Sequence, residues 1–317
     1  MHVIRLEGNS FLVGEQVEVG VGVSIGPDTI IRANHCVLED HVRIGAHNRF
    51  LVADHLHIGA RTVLGDRNQL TGRAIHLGTY GYWESDIMVG QGGQYGPRST
   101  LHTGPYTMVC DRVLLNLSDA ITIGAWVGIG NEVNIWTHGA FLPVLEGFPA
   151  DFGPVRIGDK VWLPARSTVL PNRTIGSNVV IGLGSLVNRD IPDGAFAAGT
   201  PIRILREHAY PVVDPATNAE TVRAILRDYA ELAQFKHLAV ELDFHEAEQH
   251  IRCNHTVFDL GQMQVIGPLG PVEQDFRDYL RRRGIKFYNG DAFSSLLPPA
   301  FQRLLDIDLD GGGPAYL

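Results

Sequence analysis

The stretch Val155–Arg206 reads VRIGDKVWLPARSTVLPNRTIGSNVVIGLGSLVNRDIPDGAFAAGTPIRILR and returns to an aliphatic residue every six positions: Ile157, Leu163, Val169, Ile175, Ile181 and Val187. Residues two before the next step include Val161, Ser167, Val179, Ser185 and Ile191. Strand side chains alternate with period two, so positions i and i−2 share one side of a strand. Each hexad therefore supplies a short strand with two inward side chains. An α-helix gives no such period, because six steps of 100° do not return to one face. Gly158, Gly176 and Gly182 follow the aliphatic residue, where a corner calls for permissive backbone. A six-residue internal repeat signals a parallel β-helix.

The whole chain fits that reading. Its 317 residues, 44% hydrophobic and 19% charged, describe a globular protein with an ample core. A net charge of −9 argues against a nucleic-acid surface. Cys36, Cys110 and Cys253 are too few and too scattered for a disulfide framework or a zinc knuckle, and read as ordinary thiols of a reducing cytosol. The opening MHVIRLEGNSFLVGEQ carries charges inside any apolar core, so it does not read as a signal peptide. No run of about 18 apolar residues marks a membrane span. The expected location is cytoplasmic, with neither nucleic acid nor membrane as partner.

Upstream, the six-step returns at Ile25, Ile31 and Val37, slips to Ile44 and Phe50, and slips again to Ile58, Leu64 and Leu70. The inward positions between them are polar: His35, His41, Asn48, Asp54 and Asn68. Unpaired burial would cost about 2 kcal/mol or more per group. Either the register shifts, or polar side chains stack and pair along the axis. Residues 77–112, dense in Gly, Tyr and Pro, read as an excursion from the repeat or as irregular coils. Tyr80, Tyr82, Trp83 and Tyr95 there are available to stack a sugar ring. The period resumes at Ile123, Ile129 and Ile135, and breaks again over residues 139–154. With both excursions set aside, residues 19–192 make roughly seven coils of about 18 residues, stacked about 4.8 Å apart.

Residues 1–206 thus form the β-helix domain, and residues 207–317 a small α+β domain of unassigned role. In the latter, Thr217 and Glu220 form a T-x-x-E capping box before an apolar helical face of Val222, Ile225, Leu226, Tyr229 and Leu232. KHLAVEL, HIRCNHTVFDL and QMQVIG read as strands, and Pro271–Arg283 and Ala292–Leu305 as helices. His245, His250 and His255 are spaced by five, which aligns them on neither helix nor strand, and no metal site is expected. Arg281, Arg282 and Arg283 read as a solvated helix end.

Four ordered motifs, IGDKVWLP, VLPNRTIG, IGLGS and AAGTP, resemble those of the hexapeptide-repeat acyltransferases, in particular the galactoside, maltose and xenobiotic acetyltransferase group. The resemblance implies a left-handed β-helix with three hexads per coil and a homotrimer with its sites between subunits. It implies transfer of an acyl group from acyl-CoA, acetyl-CoA above all, to a hydroxyl of a sugar or sugar-containing small molecule, with no metal required. His138, in IWTHG, precedes Trp162 by 24 residues, the spacing at which that group carries its general base. With Ile135 as position i, His138 is i+3, a corner outside the interior. The cofactor-contacting positions carry over to Ala165 after VWLP, Leu183 within IGLGS, the pair Asn188 and Arg189, and Arg203 and Arg206 after AAGTP. Arginines there suit a phosphate-rich nucleotide. Pro164 replaces the Gly of VWIG, Arg173 replaces an apolar residue, and Cys110 stands where an asparagine near the acceptor is usual. Within the same class, an amino sugar is the alternative acceptor. From other classes, a γ-carbonic-anhydrase-like metalloenzyme needs three imidazoles on one metal, and a non-catalytic β-helix scaffold needs none of this chemistry.

Overall fold

A hexad holds a two- or three-residue strand and a corner, and three hexads close one triangular turn. The computed structural model, which describes residues 2–92, 96–210, 213–287 and 294–305, builds such turns. Two compact units are present, Met1–Pro211 and Val212–Leu317. The first is a parallel β-solenoid of about nine turns. On its first face the strands Arg43–Ile44, Val63–Leu64, Tyr82–Trp83, Met108–Val109, Gly128–Ile129, Trp162–Leu163 and Val180–Ile181 pair in parallel, turn upon turn. The second face stacks Met88–Gly90, Leu114–Asn116, Asn134–Ile135, Thr168–Val169 and Leu186–Val187. The third stacks Thr100–Thr103, Ile121–Ile123, Val155–Ile157 and Thr174–Ile175. The two-residue strands turn one residue inward and the longer third-face strands two, such as Ile121 with Ile123 and Val155 with Ile157, so the core is a set of columns. Phe50, Leu70, Val89, Leu115, Ile135, Val169 and Val187 form the second-face column, each at most 2% exposed. Burying an aliphatic side chain contributes about 1.5–3 kcal/mol, and every turn repeats the gain.

Residues 77–112 are not an excursion. They carry the strands Tyr82–Trp83, Met88–Gly90, Thr100–Thr103 and Met108–Val109, each paired in parallel with the turns on either side. The six-step runs through Leu77, Trp83 and Val89, then Thr103, Val109 and Leu115, all buried. It is masked because Trp83 and Thr103 replace aliphatic residues and because an insertion separates Gly90 from Thr100. These turns account for the difference between about seven expected and about nine found.

The polar interior resolves into a ladder. Ser10, Thr29, Asn48 and Asn68 are fully buried. The Asn48 amide donates to the Gly45 and Gly65 carbonyls at 2.8 and 2.9 Å, and its Oδ1 accepts the Asn68 N–H at 2.8 Å. Asn68 repeats the pattern one turn on, donating to Gly65 and Glu84 and accepting the Ile87 N–H at 2.9 Å. His35 and Asp54 are half-buried and His41 is exposed, so these three do not belong to the interior. The glycines also play another part than expected. A Cβ on Gly158 would lie 2.8 Å from the Gly176 carbonyl carbon, so the glycines let successive turns approach. Lys160 and Asn178, two residues further on, carry the left-handed backbone at φ 54° and 56°.

Outside the third face, His57, His76 and His102 stand in register on adjacent turns. His57 Nδ1 meets His76 Nδ1 at 2.7 Å, His57 Nε2 meets Glu39 Oε1 at 2.8 Å, and the His76 and His102 rings stack at 4.6 Å. Burial, and then the neighbouring imidazoles, push the His76 pKa down to about 4.

In the second unit the helix Pro215–Phe235 is followed by a four-stranded antiparallel meander, Leu242–His245, His250–Cys253, Thr256–Asp259 and Gln264–Ile266, and by the helices Pro271–Arg281 and Pro299–Leu305. Asp214, not Thr217, caps the first helix: its carboxylate accepts the Thr217 N–H at 3.0 Å. Pro215 suits the first helical position, which needs no N–H donor. The three arginines are not simply solvated. Arg281 and Arg282 both pair with buried Asp278, and the Arg283 guanidinium lies 3.6 Å from the Tyr279 ring centre. His245 and His250 pair directly across two strands, and His250 also faces Asp259 at 3.4 Å.

Two outcomes follow from the solenoid. Asn68→Ala leaves the buried Ile87 N–H without its acceptor and should cost about 1–3 kcal/mol in denaturant unfolding; an unchanged midpoint would show the ladder to be idle. The unfolded chain protonates His76 near 6.5 and the folded one only near 4, so stability is greatest above pH 6.5 and falls as pH drops toward 4. Calorimetry across that window should show a falling melting temperature, and His76→Gln should lessen the fall.

Candidate functional site

Where the second face ends in Asn134–Ile135, the chain leaves the solenoid. His138–Gly139 pairs antiparallel with Asp151–Phe152, which closes the neck of a loop over residues 140–150. Every residue of that loop is exposed, Phe141 and Leu145 almost completely, at 97% and 99%. Between loop and solenoid lies a cleft of about 560 Å³ lined by Trp136, His138, Phe141, Leu142, Phe148, Pro149, Thr168, Leu170 and Pro171, among others. His138, Thr168 and the indole N–H of Trp136 are the polar groups of the side chains in that lining.

The His138 ring is held on several sides. Phe152 stacks near it, with centroids 5.9 Å apart and planes 27° apart, and Trp136 meets it edge-on at 6.2 Å. Its Nδ1 lies 2.8 Å from Asn116 Oδ1 and 3.1 Å from Ser118 Oγ. Asn116 and Thr137 are fully buried and bonded to each other: Thr137 Oγ1 donates to the Asn116 carbonyl at 2.7 Å, and the Thr137 N–H meets Asn116 Oδ1 at 3.3 Å. An imidazole fixed through one nitrogen on the edge of an apolar cleft has the chemistry to take a proton from a molecule seated there.

The expected cofactor positions divide between two corners. Asn188 and Arg189 follow the strand Leu186–Val187 and are exposed on the corner that carries His138, two turns along. Half-buried Ala165 and exposed Leu183 precede the second-face strands, on the corner at the other end of that face. Arg203 and Arg206 lie on the strand Arg203–Arg206, which folds back antiparallel on Phe196–Ala198, and the Arg206 guanidinium sits 5.2 Å over the Phe196 ring.

The aromatic acceptor set is not brought together. Trp83 is 1% exposed in the core column and has no surface to offer. Tyr80 packs at a tilt against Tyr106 at a corner, with centroids 5.5 Å apart, and Tyr82 points outward from the first face. Tyr95 lies outside the described residues. Cys110 is buried and bonded to Glu84, and burial together with the nearby carboxylates pushes its thiol up to about 12. His102 belongs to the histidine ladder, not to the cleft lining. Asn116, Ser118, Trp136 and Phe152 belong to none of the four ordered sequence motifs. The available signal was the polar run in LLNLSD, set in otherwise aliphatic strands.

Among the described residues no group of three or more His, Cys, Asp or Glu side chains is arranged to hold a metal ion. No helix of the described residues is long and apolar enough to cross a membrane.

No family model matches the chain. Over 87 residues, 27% of its length, it is 37% identical to the protein named "Putative acetyltransferase YvoF" of Bacillus subtilis, of which it covers 48%. It is 48% identical to galactoside O-acetyltransferase of Escherichia coli over 54 residues, 17% of this chain and 27% of that one. The chain thus spans less than half the length of either relative. The crystal structure of a UDP-N-acetylglucosamine acyltransferase follows the same fold over 71% of this chain and 82% of that one, with a TM-score of 0.52 and 14% identity. The shared fold is the left-handed β-helix.

Proposed function

We propose that this chain, whose solenoid is the left-handed β-helix of the hexapeptide-repeat acyltransferases, transfers an acyl group, acetyl above all, from CoA to a hydroxyl, with His138 as general base. The observation that carries the proposal is the His138 ring, fixed through Nδ1 and set on the rim of an apolar cleft. In the reaction the acceptor oxygen attacks the thioester carbonyl while its proton passes to Nε2. A tetrahedral oxyanion forms, the C–S bond breaks, and the imidazolium returns the proton to the departing thiolate. Backbone N–H groups are the natural partners of the oxyanion.

The cleft walls of Trp136, Phe141, Leu142, Phe148 and Leu170 suit an acceptor that presents C–H surface, such as one face of a sugar ring or the body of a sugar conjugate. Two features favour assembly into a homotrimer. The candidate cofactor positions Ala165 and Leu183 stand one strand away from the His138 corner, so a neighbouring copy would bring the two sets to one site. The exposed Phe141, Leu142, Val144, Leu145 and Phe148 form an apolar surface of the kind that copies of a chain cover.

His138→Ala should lower the transfer rate by about 10²–10⁴-fold. Acetyl-CoA affinity, read by calorimetry, and the melting temperature should stay near wild type, because the ring is only half-buried. Near-normal turnover in a badly destabilised protein would make His138 structural instead. Changing Arg189 or Arg203 to Ala should raise KM for acetyl-CoA and leave a short pantetheine thioester much less affected. Such charge-assisted contacts contribute about 1.5–3 kcal/mol. Equal losses with both donors would give these arginines another role.

A further inference from the structure

Asn116 and Ser118 are tied to the one ring nitrogen of His138 that faces the protein, and nothing in the motif pattern marks them. The orientation of the Asn116 amide is set by its surroundings. Its Oδ1 faces the Thr137 backbone N–H at 3.3 Å, and its Nδ2 faces the Gly90 carbonyl at 3.4 Å. Reversing the amide would set N–H against N–H and carbonyl against carbonyl. Ser118 Oγ lies 3.0 Å from the Gly92 carbonyl, which can only accept, so the hydroxyl proton points there and a lone pair is left for His138. A Cβ on Gly92 would fall 2.3 Å from Ser118 Oγ, so this close approach requires the glycine. His138 Nδ1 therefore faces two acceptors, at 2.8 and 3.1 Å, and must carry the hydrogen. The lone pair then resides on Nε2, at the opposite edge of a ring that lines the cleft.

The clamp is uncharged. The carboxylate closest in sequence, Asp119, is buried, paired with Arg98 at 2.9 Å, and accepts the Ala120 N–H at 2.7 Å. Asp151, on the strand that pairs with His138–Gly139, is exposed and faces Gly139 in register, not His138.

We propose that Asn116, supported by Ser118, is the positioning residue that holds His138 in the Nδ1–H tautomer through a neutral clamp, keeping Nε2 free to accept a proton. The proposal rests on the reading of His138 as the base. A neutral acceptor orients the ring without the strong preference for imidazolium that a carboxylate would impose.

The test uses the full chain labelled with ¹⁵N-histidine, His138 being assigned by its loss in His138→Ala. Wild-type protein at about pH 8 should show the Nδ1–H tautomer. Asn116→Ala should shift His138 toward the Nε2–H form, and Ser118→Ala should do so to a lesser extent. Asn116→Asp, nearly isosteric, should restore Nδ1–H but keep the ring protonated to higher pH by about one unit or more. It also serves if the alanine variant fails to fold. With acetyl-CoA and a phenyl galactoside as substrates, Asn116→Ala should lower kcat by about 10²-fold or more, up to the roughly 10⁴-fold loss that a fully wrong tautomer causes. KM for acetyl-CoA should not change. In Asn116→Asp the acid limb of the rate profile should move to higher pH. An Nε2–H tautomer in the wild type, or an unchanged tautomer in the Asn116→Ala, Ser118→Ala double variant, overturns the proposal. The two readings fail separately: a normal tautomer response with active His138→Ala removes the base, whereas an inactive His138→Ala with no tautomer response removes only the clamp.

Discussion

The solenoid depends on one constraint: each turn must lay its backbone on the last at the strand-pairing distance of about 4.8 Å. Parallel hydrogen bonds join Gly128–Ile129 to Trp162–Leu163 and Asn134–Ile135 to Thr168–Val169, so a residue's neighbour in space is the residue one turn away. Interior columns follow at once, since a slot repeated at fixed spacing accepts side chains of similar size. The tight corners follow too. Gly124, Gly158 and Gly176 stack with separations that admit no side chain, Cβ to carbonyl carbon being 2.7 Å for the first pair and 2.8 Å for the second. A single alanine there would force two turns apart.

The same constraint settles where chemistry is possible. Tyr80, Tyr106 and Trp126 take the left-handed backbone at φ 55°, 63° and 61°, a conformation that costs an L-residue about 1–2 kcal/mol. Each offsets it with a hydrogen bond to the preceding turn, from the N–H to the carbonyl of Ala60, Thr79 and Pro105, and with tilted ring contacts at 5.5 and 4.8 Å. Corner side chains thus project outward in columns while the interior stays closed. A reactive group is best placed at such a corner, where it gains a rigid support without interrupting the core. His138 is placed so, and the loop it opens brings the apolar wall that a closed turn has no room for.

What the sequence made legible is what the turn spacing dictates. The aliphatic six-step from Ile157 to Val187 marks interior residues because an apolar side chain that recurs turn after turn in one position is one the solenoid buries, and the corner position of His138 follows from its offset to Ile135. Residues 77–112 were obscured because Trp83 and Thr103 meet the same geometric demand with other chemistry. The Thr103 hydroxyl accepts the Gly78 N–H at 3.2 Å, so a polar side chain serves an interior position. The helix cap was missed for a local reason: Asp214 and Thr217 both have capping chemistry, and Pro215 between them fits only a helix that has already begun. The sequence shows Asn116 only as part of a polar run; its role depends on Gly90, Thr137 and His138, which lie elsewhere along the solenoid and which no spacing rule connects.

Buried asparagines in this fold serve two ends, and their bonding separates them. Asn68 gives both amide hydrogens to carbonyls, at 3.1 and 3.0 Å, and its oxygen to one backbone N–H at 2.9 Å. Every bond its amide makes ends on backbone, of its own turn or the next, so its work is wholly structural. Asn116 makes its shortest side-chain contact, 2.8 Å, to a ring on the cleft, and its contacts to the solenoid are longer, 3.1 Å to the Thr137 hydroxyl and 3.3 and 3.4 Å to backbone. An amide that closes its short bonds on the lattice holds the lattice. One whose short bond leaves the lattice holds something else, and here that is the imidazole on which a proton transfer would depend.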